Sequence, residues 1–448
     1  MPERQVIHPL NRGIRPIRVE LEIESGKVVG AKVGTTYYWD FAGTLTGKDP
    51  LDAIQLTQRS NGLDFVSHAT AAVRAMEAIA LAEVGDTALV LRNILLALDM
   101  VYGHITHFYQ NVLPDYIPFP AEAPFYGATG DFRIIPAVRD SIIKNVWRAF
   151  SIRQLIHQMM AMLGGKTPHI CSIVFGGVTK TPNSADIIRV NSILKEVAGF
   201  INNEYSTDLG QVETTYPQYF RMGAGSGNLL TVGEFPLKKQ GHYLIPGRAN
   251  FRSAELDKRL ISMDYTGSWF TGESETEGGM AAIVKPSPEK MTAYSWTKGA
   301  TYDGKTCEVG AFARMTVYGN SAIAGMGNQT GSVLGRYRAR LEESKMLLDQ
   351  ISGWLGQLDP AEKPVVKTDV PEKGEAIGVA EASHGSVVHY LKITGNKIER
   401  YNVLDSHSWN LCPFTRGGQR GPIEQALIGL SVSVTGLSPD VLRVARSF

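Results

Sequence analysis

Three cysteines are the residues of this chain with the widest chemical range, because thiolates bind metals, form disulfides and act as nucleophiles. Cys171, Cys307 and Cys412 are scattered over 448 residues. No two of them have the C-x-x-C spacing typical of zinc or iron–sulfur sites. An odd and dispersed set also argues against a disulfide framework. The cysteines therefore predict neither a cysteine-rich metal site nor a disulfide scaffold.

Other short motifs could also carry chemistry. His104 and His107 lie three residues apart on a predicted helix, but histidines spaced in this way are more often packed or hydrogen-bonded than metal-bound. The segment Gly223-Ala-Gly-Ser-Gly227 resembles a phosphate cradle, yet it lacks the strand–turn–helix context of a dinucleotide site, and a tight turn is expected. The chain has no G-x-S-x-G nucleophile elbow. On these motifs alone, no reaction is indicated.

The helices that must position such residues are predicted by apolar residues recurring every three or four positions. Ser67, Asp86 and Ser184 are the expected N-caps of three of these helices. Five long helices are expected, over residues 67–84, 86–113, 137–163, 184–201 and 332–358. Helices of such length suggest a bundle.

Two β-hairpins are predicted at the ends of the chain. The first covers residues 17–33 with a turn at Ser25-Gly26, and the second covers 387–404 with a turn at Gly395-Asn396. Residues 223–324 are rich in Gly, Ser, Thr and Tyr and predict loops with short strands. The expected fold class is α+β, predominantly helical, with a core bundle of long helices and peripheral β-hairpins. We expect a single domain, 1–448, with an N-terminal hairpin region (1–50), a bundle (67–215 and 330–358), a loop and β decoration (216–329) and a C-terminal hairpin and helix (374–448).

Charge and hydropathy limit the partners and the compartment. The chain has 45 Lys and Arg against 44 Asp and Glu, which removes the electrostatic basis for a nucleic-acid partner. Its most apolar stretch, residues 87–105, is interrupted by Arg92 and Asp99 and predicts a buried helix, so no transmembrane segment is expected. The first residues lack the apolar core of a signal peptide. A cytoplasmic location is therefore the default expectation.

Residues 58–76, QRSNGLDFVSHATAAVRAM, resemble the first signature of nickel–iron hydrogenase large subunits, R-x-C-G-x-C-x-x-x-H. Arg59, Gly62 and His68 match that pattern, whereas Asn61 and Asp64 stand at its two cysteine positions. Further resemblances cover essentially the whole chain. They comprise GAGSGNLLTVGEFP (223–236), YDGKTCEVGAFARM (302–315, with Glu308 and Arg314), Trp409-Asn410 and GPIEQALIG (421–429). The resemblance implies the hydrogenase large-subunit fold.

The departures from the family pattern fall on its functional positions. Ile14 stands where the family has a proton-relaying glutamate, and Ala42 where it has a carboxylate linked to magnesium. His384 replaces an arginine poised over the metals. The second signature, D-P-C-x-x-C-x-x-H, follows a stretch like VLRVARSF (441–448) in the family and is absent from this sequence.

These departures imply a degenerate member of the family. A nickel–iron centre needs soft thiolates, and isoleucine cannot carry a proton. We therefore expect no cofactor in this chain and no nickel–iron hydrogenase activity. The chain is then a pseudoenzyme, the structural partner of an iron–sulfur small subunit that holds the clusters. Heterodimers and higher oligomers of heterodimers are expected, with export to the periplasm or membrane if the partner bears a signal.

Other functions stay open at this point. The vacated pocket could have acquired different chemistry, with a quinone, a small substrate or a divalent metal at Asp64, His68 and His384. A third hypothesis is a maturation scaffold that delivers an iron fragment to a true hydrogenase. Under the family fold, the pocket is lined by Arg59, Asn61, Asp64, His68, His384 and His407.

Overall fold

The structure is a computed structural model that describes residues 2–10, 12–13, 15–119, 130–238, 241–248, 251–252, 256–272, 279–327, 331–432 and 438–448. Long helices dominate its core. The helices of the described residues are α1 (Asp52–Leu56), α2 (Phe65–Ala80), α3 (Asp86–Thr106), α4 (Pro136–Gly164), α5 (Ser184–Phe200), α6 (Ser206–Thr215), α7 (Ala311–Tyr318), α8 (Ser321–Ala324), α9 (Val333–Leu355), α10 (Pro422–Leu427) and α11 (Pro439–Ala445).

The central helix of the bundle is α3, which packs against α4 and α9. It continues as a π-helical turn, His107–Val112, and a 3-10 turn, Leu113–Asp115. This continuous stretch, residues 86–115, is long and apolar enough to cross a membrane, but 94% of its most apolar part is buried inside the fold. That degree of burial is what a core helix shows. The absence of a transmembrane segment stays a prediction.

The helix starts differ from the predicted caps. Ser67 lies inside α2, where its hydroxyl donates to the Glu381 carbonyl at 2.9 Å. Asp86 is the first residue of α3, whose N-cap is Gly85, and the Glu362 carboxylate accepts from the Thr87 N–H at 2.9 Å. Asn183, rather than Ser184, caps α5 in a capping box with Asp186. In each helix the N-cap lies one to three residues before the polar residue that was predicted to be the cap. These three N-cap predictions are therefore wrong.

Short antiparallel sheets surround the helices. The strands of the described residues are β1 (Glu3–Leu10), β2 (Ile17–Glu24), β3 (Lys27–Thr35), β4 (Ile173–Val174), β5 (Gly177–Val178), β6 (Leu230–Thr231), β7 (Glu234–Leu237), β8 (Gly241–Leu244), β9 (Gly247–Arg248), β10 (Phe251–Arg252), β11 (Ile261–Asp264), β12 (Phe270–Gly272), β13 (Val284–Pro286), β14 (Gly299–Tyr302), β15 (Lys305–Thr306), β16 (Lys373–Glu381), β17 (Ser386–Thr394) and β18 (Lys397–Leu404).

Both predicted hairpins are present, as β2–β3 and β17–β18, and each gains an unpredicted third strand. β1 pairs with β2, and β16 pairs with β17 in register from Lys373–Thr394 to Glu381–Ser386. The strand β16 lies directly on α2, because Gly378 allows the two backbones to touch. A Cβ atom at Gly378 would lie 1.9 Å from the carbonyl oxygen of Ala71. The β16–β17 turn is thereby brought to the start of α2, and the α+β, predominantly helical fold class is confirmed.

Candidate active site

Asp64 lies at the centre of the site, immediately before α2. Its backbone is left-handed, with φ of 59°, a conformation that aspartate adopts more readily than most residues. The carboxylate is buried and accepts hydrogen bonds from two other elements. Ser383, in the β16–β17 turn, donates through its backbone N–H (3.3 Å) and its hydroxyl (2.6 Å) to Oδ1. Ser406, after β18, donates its hydroxyl to Oδ2 at 2.6 Å.

His384 completes the surroundings of Asp64, with Nδ1 3.3 Å from Asp64 Oδ2. Burial by itself would raise the pKa of Asp64, but His384, His407 and Ser383 together hold that pKa well below its usual range. Asp99 on α3 behaves in the opposite way, because burial and the charge of Asp64 raise its pKa well above the usual value. The site therefore holds two carboxyl groups whose pKa values are shifted in opposite directions, a separation typical of functional sites.

Three histidine rings lie together beside Asp64. The rings of His384 and His407 are stacked, with centroids 4.9 Å apart, and the His107 ring is 6.1 Å from that of His384. Burial lowers the pKa of His407 to about 4 and that of His107 well below its ordinary value. Both are therefore neutral imidazoles at physiological pH, able to donate one hydrogen bond and accept another.

A mostly apolar cavity borders these imidazoles and reaches the Phe448 side chain. Two guanidinium nitrogens on its wall, Arg12 Nη1 and Arg446 Nε, have no hydrogen-bond partner among the described residues. His107 Nδ1 is also unpartnered, but it is an acceptor, because His107 Nε2 donates to the Arg446 carbonyl at 2.9 Å. Buried donors without a partner cost about 1–3 kcal/mol each. The arrangement therefore favours a ligand that accepts hydrogen bonds.

His68 does not join Asp64 and His384. Its Nε2 is 3.2 Å from Ser60 Oγ, and its Nδ1 is 3.0 Å from His389 Nε2. Within the described part of the chain, no group of three or more His, Cys, Asp or Glu side chains is arranged to hold a metal ion. The structure thus does not assemble the divalent-metal site that was considered at Asp64, His68 and His384.

The other expected site residues lie apart from the cavity. Arg59 is exposed and donates from Nη1 to the Gln55 carbonyl at 2.7 Å. Ala42 is half-buried and lines a different pocket, together with Ser60. Ile14 lies outside the described residues.

A buried ion network behind the site was missed by sequence reasoning. Arg314 on α7 binds Glu343 on α9 through two hydrogen bonds of 2.7 Å and Glu381 on β16 through one of 2.8 Å. His104 Nε2 is 2.7 Å from Glu343 Oε2. The sequence indicated this network only in part, because Arg314 belongs to the segment 302–315 that resembles the family. The network fixes the end of β16 and thus the turn that carries Ser383 and His384.

Comparisons with known proteins identify the family. Residues 42–125 and 122–448 match the model described as nickel-dependent hydrogenase. The periplasmic [NiFeSe] hydrogenase large subunit of Desulfomicrobium baculatum is 31% identical over 99% of this chain and 92% of that protein. The hydrogenase-2 large chain of Escherichia coli K12 is 26% identical over 100% of this chain and 96% of that one.

The fold agrees with these relatives. A solved structure of anaerobically purified Dm. baculatum [NiFeSe]-hydrogenase superposes with a TM-score of 0.93 at 31% identity, covering 100% of this chain and 98% of the other. The default expectation of a cytoplasmic location gains no support, since a relative of nearly the same length is named periplasmic.

The expectation that this chain carries no cofactor is contradicted. The matching family is nickel-dependent, and the neighbour that shares the whole fold is a [NiFeSe] hydrogenase; the family therefore implies a nickel–iron group here. The side chains at the two signature positions do not fit its chemistry, because Asn61 offers an amide and Asp64 a carboxylate where soft metals bind sulfur. Cys412 is buried elsewhere and donates its thiol to the Pro413 carbonyl.

The family match, the relative at 31% identity and the shared fold agree over essentially the full length of the chain. The protein therefore belongs to the nickel-dependent hydrogenase family and has the fold of its large subunits.

Proposed function

We propose that this chain is the large subunit of a hydrogenase-type redox complex and acts in it as a structural partner that does not turn over hydrogen. The observation that carries the proposal is the complete hydrogen bonding of Asp64. An ionised carboxylate has about four acceptor positions. The Ser383 N–H and hydroxyl occupy two of them, and the Ser406 hydroxyl and His384 occupy the others.

This bonding gives Asp64 a structural role. The side chain joins the start of α2 to the β16–β17 turn and to the loop after β18, and no lone pair is left for a metal or substrate. A ligand or a general base would need a free lone pair directed at the reacting group. The hydrogen bonding of Asp64 therefore favours a structural role for this residue over a catalytic one.

The partner in this proposal is an iron–sulfur small subunit, which would carry the electron-transfer clusters. The relatives are named large subunit and large chain, which implies assemblies of more than one chain. The exposed Arg59, close to the start of α2, offers a surface for such a partner. Export together with a signal-bearing partner would give a periplasmic location, the compartment in the name of one relative.

A second candidate function is a redox subunit that binds a quinone or another small carbonyl compound. The cavity beside His107, His384 and His407 favours it, because its lining is mostly apolar and the unpartnered Arg12 Nη1 and Arg446 Nε suit a carbonyl oxygen. Ligand-dependent protection of His384 from diethyl pyrocarbonate, lost in Arg12→Met, would support this function.

The test of the first proposal is co-expression of the chain with an iron–sulfur small subunit. We expect the two to co-elute and to show no hydrogen-dependent reduction of benzyl viologen. Nickel and iron per chain are measured on the same sample, so that turnover and metal content are determined separately. Hydrogen-dependent dye reduction by the wild-type complex would refute the structural role, and elution of the chain alone would refute the partnership.

A further inference from the structure

A second pocket opens away from Asp64, between the segment after β3 and the segment before β14. Its walls are aromatic. The rings of Tyr38 and Trp296 are stacked with centroids 4.5 Å apart, and Phe270 meets Trp296 edge-on at 5.4 Å. Trp39 stands at the mouth with 49% of its surface exposed. A planar ring entering this pocket would find aromatic surfaces against which to stack.

Lys298 supplies an amino group inside this pocket. Its Nζ lies 5.0 Å from the centroid of Phe270 and has no hydrogen bond or ion pair among the described residues. Lys290 on the neighbouring segment offers a contrast, because its Nζ donates to the carbonyl oxygens of Tyr265 (2.6 Å) and Phe270 (3.0 Å). Lys298 thus lacks the acceptors that hold the ammonium of Lys290 in place.

The surroundings of Lys298 make its ammonium easier to deprotonate. Burial lowers the pKa of its ammonium, and the carboxylate of Asp40 only partly offsets this effect. A desolvated amine with a lowered pKa is the form of lysine that reacts with carbonyl carbons. The side chain is still partly exposed, so a small molecule can reach it.

We propose that Lys298 is a nucleophilic amine that binds planar aromatic aldehydes covalently and reversibly in this pocket. The neutral amine adds to the carbonyl carbon, and the resulting carbinolamine loses water to leave a C=N bond. One amine and one aldehyde give one imine and one water, without any redox change. This site is independent of the role proposed for the chain in a hydrogenase-type complex.

The pocket also has groups for a polar substituent on the ring. The Arg15 guanidinium lines it, 2.7 Å from the Asp405 carboxylate and with 30% of its side chain exposed. The hydroxyl-bearing residues Ser60 and Ser408 lie on the same wall. Since Asp405 already pairs with this guanidinium and Asp40 lines the same pocket, the aromatic ring rather than a charged substituent is the feature that the pocket recognises.

The test is reductive trapping on the full chain with 4-formylbenzoate and cyanoborohydride at pH 7.5, followed by peptide mass spectrometry. We expect Lys298 to be labelled at least about tenfold faster than Lys290, because the ammonium of Lys290 must give up two hydrogen bonds to carbonyl oxygens before it can react. Equal labelling rates at the two lysines would overturn the proposal.

Two controls address the pocket. Trp39→Ala, an exposed position, should slow labelling of Lys298 by 4-formylbenzoate about threefold or more by removing one stacking face, and should leave labelling by propanal unchanged. Propanal reacting with Lys298 as fast as the aromatic aldehyde in the wild-type chain would overturn the aromatic specificity. A thermal melt of each variant confirms that it is folded.

Discussion

The imidazole rings of His68 and His389 share a hydrogen bond of 3.0 Å inside the core. His389 Nδ1 is in turn 2.8 Å from the Tyr401 hydroxyl, and His68 Nε2 is 3.2 Å from Ser60 Oγ. Burial lowers the pKa of His68 to about 4 and that of His389 well below its ordinary value. Both rings are therefore neutral, and the four side chains form one continuous hydrogen-bonded chain between α2 and the β16–β18 sheet.

The lowered pKa of His68 makes the stability of the protein sensitive to acid. The unfolded chain binds a proton at this histidine near pH 6.5, whereas the folded protein does so only near pH 4. The contribution to stability is thus present above pH 6.5 and is lost as the pH falls toward 4. Between pH 7 and pH 5 the loss from His68 should be about 2 kcal/mol.

Urea unfolding at pH 7, 6 and 5 measures this effect. His68→Gln should reduce the slope of unfolding free energy against pH over that range. The reduction should correspond to about one proton fewer taken up on unfolding. His8→Gln, at an exposed position of β1, is the matched control and should leave the slope unchanged. A wild-type slope retained in His68→Gln would contradict the prediction.

Asp64→Ala should destabilise the protein strongly. The change removes the acceptor of two serine hydroxyls, a backbone N–H and His384, all buried. Breaking a buried charged network of this kind costs about 3–5 kcal/mol. Asn61→Ala is the control and should cost about 1 kcal/mol, since Asn61 Nδ2 has no partner among the described residues and its Oδ1 accepts only a long bond of 3.4 Å. If chemical denaturation shows the same loss of unfolding free energy for Asp64→Ala and Asn61→Ala, Asp64 is not the centre of the network.

Local sequence patterns predict most of the helices and both hairpins, because periodicity and turn residues act over a few positions. The turns at Ser25-Gly26 and Gly395-Asn396 and the helices α3, α4 and α9 are examples. The edge strands β1 and β16 were missed, since β16 depends on the close approach of Gly378 to α2, which the local sequence does not show.

The candidate site needed information that no local pattern contains. Asp64 meets Ser383 and Ser406 across 319 and 342 residues of chain. Only the resemblance to a family pointed to Asp64 and His384, and it did not reveal that Ser383 and Ser406 saturate the carboxylate. Asp99, whose pKa burial raises, was interpreted only as an interruption of an apolar stretch. A lone carboxyl group in the most apolar helix already indicates a buried side chain whose charged form is disfavoured.

Asp208 should make the protein less stable as the pH rises toward neutrality. The side chain is buried beside Tyr109 and Asn145, and burial raises its pKa to about 7 despite their hydrogen bonds. An acid with a raised pKa contributes stability below the unfolded value of 3.8 and loses it as the pH rises through 7. Asp208→Asn should therefore gain up to about 1.4 kcal/mol relative to wild type for each pH unit between 4 and 7. Asp140→Asn, at an exposed position, should show no such gain in the same urea titrations.

The buried network of Arg314 should show strong energetic coupling. Arg314 and Glu343 are fully buried and joined by two hydrogen bonds, so Arg314→Leu leaves two carboxylates without their cation. We expect a loss of about 3–5 kcal/mol, because an uncompensated buried charge costs far more than the net value of the pair. The variant should also take up protons on folding near neutral pH, as the pKa of Glu343, now held at about 2, rises without the guanidinium.

A double-mutant cycle distinguishes this coupling from a general loss of packing. The double variant Arg314→Leu/Glu343→Gln should be more stable, by at least about 1 kcal/mol of unfolding free energy, than the sum of the two single losses predicts. Each single change is costly mainly because it leaves the charge of the other residue buried and unpaired. The surface pair Arg148 and Glu196, 2.9 Å apart and each with 47% of its side chain exposed, is the matched comparison and should couple by less than about 1 kcal/mol. Similar coupling energies in both cycles would mean that the buried network contributes by its volume rather than its charge. In that case, the position of the β16–β17 turn, and with it Ser383 and His384, would not depend on the ion pairs.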